Sequence, residues 1–342
     1  PTNMNLPIFN ILQAIEPLEW LGDEFKEKTD DSVIVMKENI NEKSDRWKRY
    51  NSVEEMIKGE TDLRWIDYNM IYDIKFLAKG GCGKVYYAKI NKSNGESCEV
   101  ALKSVNNSAD NVYEFMNEVI NFNKTKNDQY VVTIYGIARD PVSLDYLLVM
   151  EYSTFGSLKD YIHNNISTLT WKERINFVHD IASGLTELHV VDLLHTDFHS
   201  GNLLLFGGRR NNLKVKITDL GLSRPLGVKP TEGQVFGVLP FIAPEVLLGS
   251  KYMKESDIYS LGIIMCTIAT GKLPFDDRSY DQDLTLAICN GARPNIGKHT
   301  PEFYKELVQK CLDKDSKVRP TAKEIRSLAH RWKYEMQISK IG

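Results

Sequence analysis

The chain has 342 residues, 42% of them hydrophobic and 26% charged, enough to bury a large core and to divide into more than one lobe. Lys+Arg 43 against Asp+Glu 46 gives a net charge of -3, which argues against any global attraction to nucleic acid or an anionic membrane. Five cysteines at unrelated spacings suit a reducing compartment, cytosol or nucleus, rather than a disulfide framework or a zinc site. The most apolar stretch, Leu261 to Ala269, is far too short to span a membrane, and Glu16, Glu19, Asp23 and Glu24 stand where a signal peptide is free of charge.

Residues 1–70 mix short apolar groups with charge and sustain no single period, which reads as an N-terminal extension of unassigned role. Leu63, Trp65 and Ile66 are its candidates for packing onto the domain. From Tyr72 short apolar runs take over, at 74–78, 84–90, 99–105, 131–138 and 144–152, with a turn at 91–95. They predict an antiparallel sheet. One helix interrupts it at 111–124, where Val112, Phe115, Met116, Val119 and Phe122 recur at helical spacing and Glu118 lies at the border of the stripe. Beyond Gly156 the helices lengthen. Thr170 and Glu173 form a capping-box pattern before a helix at 171–189, and 258–269 is apolar nearly all round, the mark of a buried central helix.

Three charged islands stand in these apolar surroundings. Lys103 lies in Val100 to Val105, Asp197 and Asn202 in His195 to Asn202, and Asp219 in Ile217 to Gly221, with Ala243-Pro244-Glu245 after them. One cation followed by carboxylates and a carboxamide on short turns suits chemistry on a magnesium-bound polyphosphate. A strand places Ala101, Lys103 and Val105 on one face, and Glu118 is the candidate partner for the lysine. Taken singly, each signal has a plain alternative: a lysine stem reaching solvent, loops rich in Asp and Asn, and a hairpin turn at Ala78-Lys79-Gly80-Gly81-Cys82-Gly83.

In this order the motifs resemble the protein-kinase family, and the ending His199-Ser200-Gly201-Asn202 is most similar to the tyrosine-kinase-like serine/threonine kinases. The resemblance implies an α+β, bilobal protein-kinase fold: an antiparallel-sheet N-lobe with one helix over 71–152, a mainly helical C-lobe over 153–333, and a tail at 334–342. It implies a transfer of the ATP γ-phosphate to Ser/Thr hydroxyls of protein substrates, with ATP and Mg2+ as cofactors. Asp197 takes the role of catalytic base, Lys103 and Glu118 form the phosphate-fixing pair, and Asn202 and Asp219 are the metal ligands. ATP would contact Ala78, Lys79, Gly80, Gly81, Cys82, Gly83, Val85, Ala101 and Lys103, then Met150 beside the adenine, backbone groups from Glu151 to Ser153, and Ser157 near the ribose. For the hinge segment a core strand followed by a helix cap at Ser157 explains the same letters. Asp257 is expected to bond the backbone of the catalytic turn, and Glu245 with Arg319 to close the large lobe as an ion pair. No nucleic acid and no membrane span belong to this reading.

The chain departs from the family pattern at several points. Ala78 stands for glycine and is expected to tolerate the turn less well; Leu220 stands for an aromatic plug. His199 stands where a lysine is usual, and Val238 where a threonine hydroxyl would steady Asp197. These changes keep a pseudokinase, a nucleotide- or partner-binding module, as the alternative; a small-molecule phosphotransferase fits Ala243-Pro244-Glu245 less well. Thr196 replaces the arginine that pairs with a phosphorylated activation segment, so residues 222–239 need no phosphate, although Ser223 and Thr231 carry hydroxyls. A Thr231→Ala protein is therefore expected to keep most of its turnover, measured as phosphate released from Mg-ATP to a general substrate.

Overall fold

The computed structural model describes residues 52–80, 83–91, 95–105, 108, 112–125, 128–208, 212–226 and 237–338. Much of the 1–70 extension, Gly81 and Cys82, the centre of the 91–95 turn, and Thr231 lie outside the described residues. Five strands form the small lobe: β1 (Ile71–Gly80), β2 (Gly83–Asn91), β3 (Ser97–Val105), β4 (Ile134–Arg139) and β5 (Tyr146–Glu151). They pair antiparallel in the order β1-β2-β3-β5-β4, which puts β3 at the centre.

Period-two alternation divides β3 between two cores. Ala101 and Val105 join the large cluster on the helix side of the sheet, whereas Val100 and Leu102 join Ile66, Ile71, Ala88, Ile90, Ala138, Leu147 and Val149 on the other. Residues before the sheet belong to its packing. Ser52 caps α1 (Val53–Glu60), and the chain then runs beside β4, with Ile66 N–H donating to Ile137 O at 2.7 Å and Ile137 N–H to Arg64 O at 3.0 Å. Leu63 and Trp65 pack on the main core, and Ile66 is buried on the opposite face. α2 (Val112–Lys124) lays Phe115, Met116, Val119 and Phe122 against the sheet, the stripe its spacing predicts.

Past β5 the chain is mainly helical. Ser157 caps α3 (Leu158–Asn165), and the capping box of Thr170 and Glu173 starts α4 (Trp171–Val190). Two short hairpin-like pairs come next, β6 (Leu193–Leu194) with β9 (Arg224–Pro225), and β7 (Leu203–Phe206) with β8 (Lys214–Ile217). The short α5 (Pro244–Leu247) precedes α6 (Lys254–Thr270), which is longer at both ends than its apolar stretch suggests. Ile258, Tyr259, Leu261, Ile263, Ile264, Met265 and Ile268 are all buried, so α6 is the axis of the large lobe. It stops at Gly271, whose φ of 77° lets its N–H reach Thr267 O. At Gly262 a Cβ would lie 2.8 Å from Cys311 and Leu312 side-chain atoms, so glycine sets how closely α8 (Glu302–Cys311) crosses. α7 (Gln282–Cys289) and α9 (Ala322–Ile338) complete the lobe. The last helix thus runs on through Tyr334, with no break at residue 333.

No described helix is long and apolar enough to cross a membrane, and Cys98, Cys266, Cys289 and Cys311 are unpaired thiols. One buried ion pair closes the large lobe. Arg319 Nη1 and Nη2 donate to Glu245 Oε1 and Oε2 at 2.7 and 2.8 Å, and Arg319 Nε donates to Asp313 O. The arginine side chain is fully buried while that of Glu245 is 22% exposed. Breaking a buried pair costs about 3–5 kcal/mol, and the partial hydration of Glu245 points to the low end. Arg319→Leu is expected to lose about 3 kcal/mol in urea unfolding.

Candidate active site

Lys103 sits mid-way along β3, opposite Val85 on one side and Leu148 on the other, and only 6% of it is exposed. A buried ammonium needs compensation. Its Nζ donates to Glu118 Oε1 at 2.8 Å and to Asp219 Oδ1 at 2.7 Å. Glu118, placed at the border of the stripe by its sequence, is 2% exposed and points fully inward. Burial raises the Glu118 pKa; Lys103 pulls it back, and Asp219 pushes it up again. The cluster carries one positive and two negative charges, so it is short of positive charge until something cationic joins it.

Asp219 follows β8 with φ of 60°, a left-handed conformation that is uncommon for a non-glycine residue. Gly221 has a matching reason. A Cβ there would come within 3.2 Å of Glu118 Oε2, so the bare backbone makes room for the carboxylate. Asn202 lies directly before β7, and the pairing of Leu203 with Ile217 brings the ends of β7 and β8 that carry Asn202 and Asp219 side by side. Thr218 N–H donating to Asn202 O at 3.0 Å fastens the two turns together.

The turn that carries Asp197 and Asn202 hangs from the central helix. Asp257 near the start of α6 accepts from His195 N–H at 3.0 Å, from Thr196 N–H at 3.2 Å, and faces His189 Nε2 at 3.0 Å. Thr196 takes a left-handed φ of 64° under this hold. Asp197 comes next, its carbonyl and Oδ2 accepting from Asn202 Nδ2 at 3.0 and 3.3 Å. Its Oδ1 is buried without a hydrogen bond, 3.5 Å from His199 Nε2. Burial alone would raise the Asp197 pKa. The electrostatic influence of the nearby His199 and His195 rings and the hydrogen bond from Asn202 outweigh it, so the carboxyl stays below the usual aspartate value.

His199 is buried here and accepts Gly201 N–H on Nδ1 at 3.1 Å, which leaves Nε2 as the protonated nitrogen facing Asp197. Gly201 has a reason too: a Cβ there would sit 2.8–2.9 Å from the imidazole. Val238 supplies no hydroxyl, and the neighbouring Gly237 lies against Asp197, where a Cβ would be 3.4 Å from Oδ1. Thr196 Oγ1 donates to Leu222 O at 2.6 Å, so the residue in the arginine position binds the next segment by its backbone. Ser223 is buried, with its hydroxyl on His195 O, and is no accessible modification site.

The nucleotide residues fall into groups. Ala78, Lys79 and Gly80 pair with Val85, Lys84 and Gly83. Ala78 is simply extended and exposed, so alanine brings no strain there, contrary to the sequence expectation. Glycine is required at Gly83 instead, since a Cβ would run into Ser104 O. Val85, Ala101 and Met150 offer apolar side chains around the β2-β3-β5 face. Glu151 has its amide bonded to Thr133 O at 2.9 Å and its carboxylate to Lys216 Nζ at 2.6 Å. Ser153 Oγ donates to Leu205 O, and Ser157 Oγ caps α3 at Asp160 N–H, so both hydroxyls have structural duties. Asn121, Thr196 Oγ1 and the Glu151–Lys216 bridge were not singled out as interactions by the sequence; the one signal at Asn121 is an amide one turn beyond Glu118.

The donor set fits a hard divalent ion. Asp219 keeps a second carboxylate oxygen beyond the one on Lys103, and Asn202, with its amide hydrogens on Asp197, turns its oxygen the other way. Among the described residues no group of three His, Cys, Asp or Glu side chains converges on a metal site. Such an ion would therefore take its remaining ligands from phosphate oxygens and water.

The profile of the family described as protein tyrosine and serine/threonine kinase matches residues 71–328. The chain is 30% identical over 265 residues to the probable serine/threonine-protein kinase roco7 of Dictyostelium discoideum, covering 74% of this chain and 10% of that protein. It is 28% identical to the dual specificity protein kinase pyk3 of the same organism, over 81% of this chain and 19% of the relative. Serine/threonine-protein kinase STY17 of Arabidopsis thaliana is 28% identical over 74% of this chain and 43% of its own length. The chain thus spans less than half the length of each of these relatives. Replacing Lys103 by Met leaves the buried Glu118 and the part-exposed Asp219 carboxylates facing each other, and a loss of about 2–5 kcal/mol in transition-state stabilisation is expected from kcat/KM for Mg-ATP.

Proposed function

The chain belongs to the protein tyrosine and serine/threonine kinase family, and on that premise we propose that it transfers the γ-phosphate of ATP to Ser or Thr hydroxyls of protein substrates. The carrying observation is that Lys103 bridges Glu118 and Asp219 while Asp197 and Asn202 stand bonded to each other on the adjoining turn. The pseudokinase alternative rests on Ala78, His199 and Val238; the family match, the names of the relatives and the meeting of Lys103 with Glu118 and Asp219 favour the enzyme over it.

In this reading Val85, Ala101 and Met150 hold the adenine between apolar side chains, and the Glu151 carbonyl and Ser153 amide bond its edge. Lys103, held by Glu118, steadies the α and β phosphates. A magnesium ion on Asn202 and Asp219 would supply positive charge against the phosphate oxygens. Asp197 accepts the proton of the substrate hydroxyl as its oxygen bonds to the γ phosphorus and the bond to the β-phosphate oxygen breaks, releasing ADP. Its low pKa keeps it ionised at neutral pH, and Asn202 fixes its direction. Asp197 is thus a base for an aliphatic hydroxyl already positioned against phosphate, where proton transfer follows phosphorus attack closely and a strong base is not needed.

Serine/threonine specificity draws support from the names of most relatives, and one of them is dual specificity. Protein substrates, use of Mg-ATP and residence in cytosol or nucleus belong to the same proposal, the last supported by four unpaired thiols. We also propose the division into an extension at 1–70, a kinase domain at 71–333 and a tail at 334–342. Asp197→Asn is expected to lower transfer by about 10²–10⁴-fold while Mg-nucleotide binding persists. Phosphosite mapping by mass spectrometry after incubation with Mg-ATP measures the loss and reports the acceptor residue type; transfer unchanged by the substitution would overturn the reading.

A further inference from the structure

A carboxamide in the interior of a helix is out of place on two counts. Asn is a weak helix former, and burying its amide without partners is costly. Asn121 opens the last turn of α2, among Val119, Ile120 and Phe122, and only 5% of it is exposed. Its partners lie about a hundred residues away. Nδ2 donates to Leu220 O at 3.1 Å and to Ser223 O at 2.9 Å, both buried contacts.

Leu220 is the residue after Asp219, and Asn121 is one helical turn beyond Glu118. A closed ring results: Lys103 to Glu118, along α2 to Asn121, across to Leu220, back to Asp219 and to Lys103 again. Two charged contacts on one side of the ring fix where the ammonium sits. Its apolar stripe seats α2 on the sheet, but the Glu118 contact, made at the end of a flexible stem, still leaves the helix some freedom relative to the turn that carries Asp219. The second attachment, one turn along, removes that freedom. We propose that Asn121 is a positioning residue, which locks α2 to the backbone after Asp219 and so sets the distance between the Lys103–Glu118 pair and the metal-binding carboxylate.

The same two carbonyls begin the segment that other kinases order with phosphate. Here Asn121, Thr196 Oγ1 on Leu222 O and Ser223 Oγ on His195 O fasten residues 220–223 by uncharged hydrogen bonds alone. The proposal rests on the kinase reading for its consequence in turnover, but the lock itself has a readout without substrate.

Asn121→Leu replaces the amide with an apolar side chain of similar size, and Asn121→Ser removes it without adding bulk. Amide hydrogen exchange on the nucleotide-free protein is expected to quicken at least about tenfold at residues 219–226 in both variants, with α4 and α6 unchanged. Turnover is expected to fall at least about tenfold in kcat, with KM for ATP changed less than about twofold. Unchanged exchange at 219–226 would overturn the lock, whatever the turnover. Faster exchange there with undiminished kcat, in a wild-type protein that does transfer phosphate, would overturn the positioning role. Faster exchange with no transfer even by the wild type leaves the lock standing and counts against the kinase reading instead. Protection lost throughout α4 and α6 in both variants would assign Asn121 to folding and overturn the proposal.

Discussion

Everything at the site depends on one buried ammonium held between two carboxylates. At an effective dielectric near that of protein sites, attractions at such distances are worth roughly 4 kcal/mol or more each. Removing each ion from water costs several kcal/mol in return, so the cluster is close to break-even for stability. Its value is geometric. Lys103 comes from the central strand, Glu118 from the helix of the small lobe, and Asp219 from the turn after β8, so the three can meet only when the lobes and α2 are correctly placed. The excess negative charge that remains would favour a divalent ion joining them.

The large lobe meets this requirement with a rigid mounting. α6 is apolar on all sides and surrounded, and the carboxylate of Asp257 near its start grips two successive amides of the catalytic turn. That grip stabilises the left-handed φ at Thr196, a conformation costing of order 1–3 kcal/mol that would relax in a free loop. Asp197 is aimed by this mounting and by Asn202. The histidine at 199 adds a proton donor on the same side, at the cost of the glycine at 201 that its ring demands. An imidazole against Asp197 thus occupies the space where the family pattern places a lysine, and it faces the base itself.

Sequence made the architecture legible because its elements follow local rules, whereas Lys103, Glu118, Asp197, Asn202 and Asp219 are singled out by their order along the chain, which resembles the protein-kinase pattern. Period-two runs gave the strands of the small lobe, the apolar circumference gave α6, and Thr170 with Glu173 gave the start of α4. The interactions that escaped notice join residues far apart along the chain, and two of the three reach backbone atoms. Asn121 bonds carbonyls 99 and 102 residues away, Thr196 bonds Leu222 O, and nothing in a string of letters shows where a carbonyl points. The same blindness explains Ala78. Counting glycines suggests strain at that position, whereas the close approach that excludes a side chain is at Gly83 against Ser104 O. Hydroxyls at Ser153 and Ser157 fit the letters of a ligand pocket and equally a hinge and a cap, and here they are engaged in the latter.

The hinge shows how the two lobes are kept in register by side chains that need not touch a substrate. Glu151, the last residue of β5, pairs with Lys216 on β8 at 2.6 Å, and Ser153 Oγ binds Leu205 O on β7. Ile217 N–H and O bond Tyr130 O and Val132 N–H on the connection between α2 and β4. β8 is therefore tied at its side chain to the end of the central sheet and at its backbone to the segment behind α2, two residues before Asp219. The small lobe is thus joined to the turn that carries Asp219 both through these short links and through α2, where Asn121 and Glu118 meet the turn from the other side.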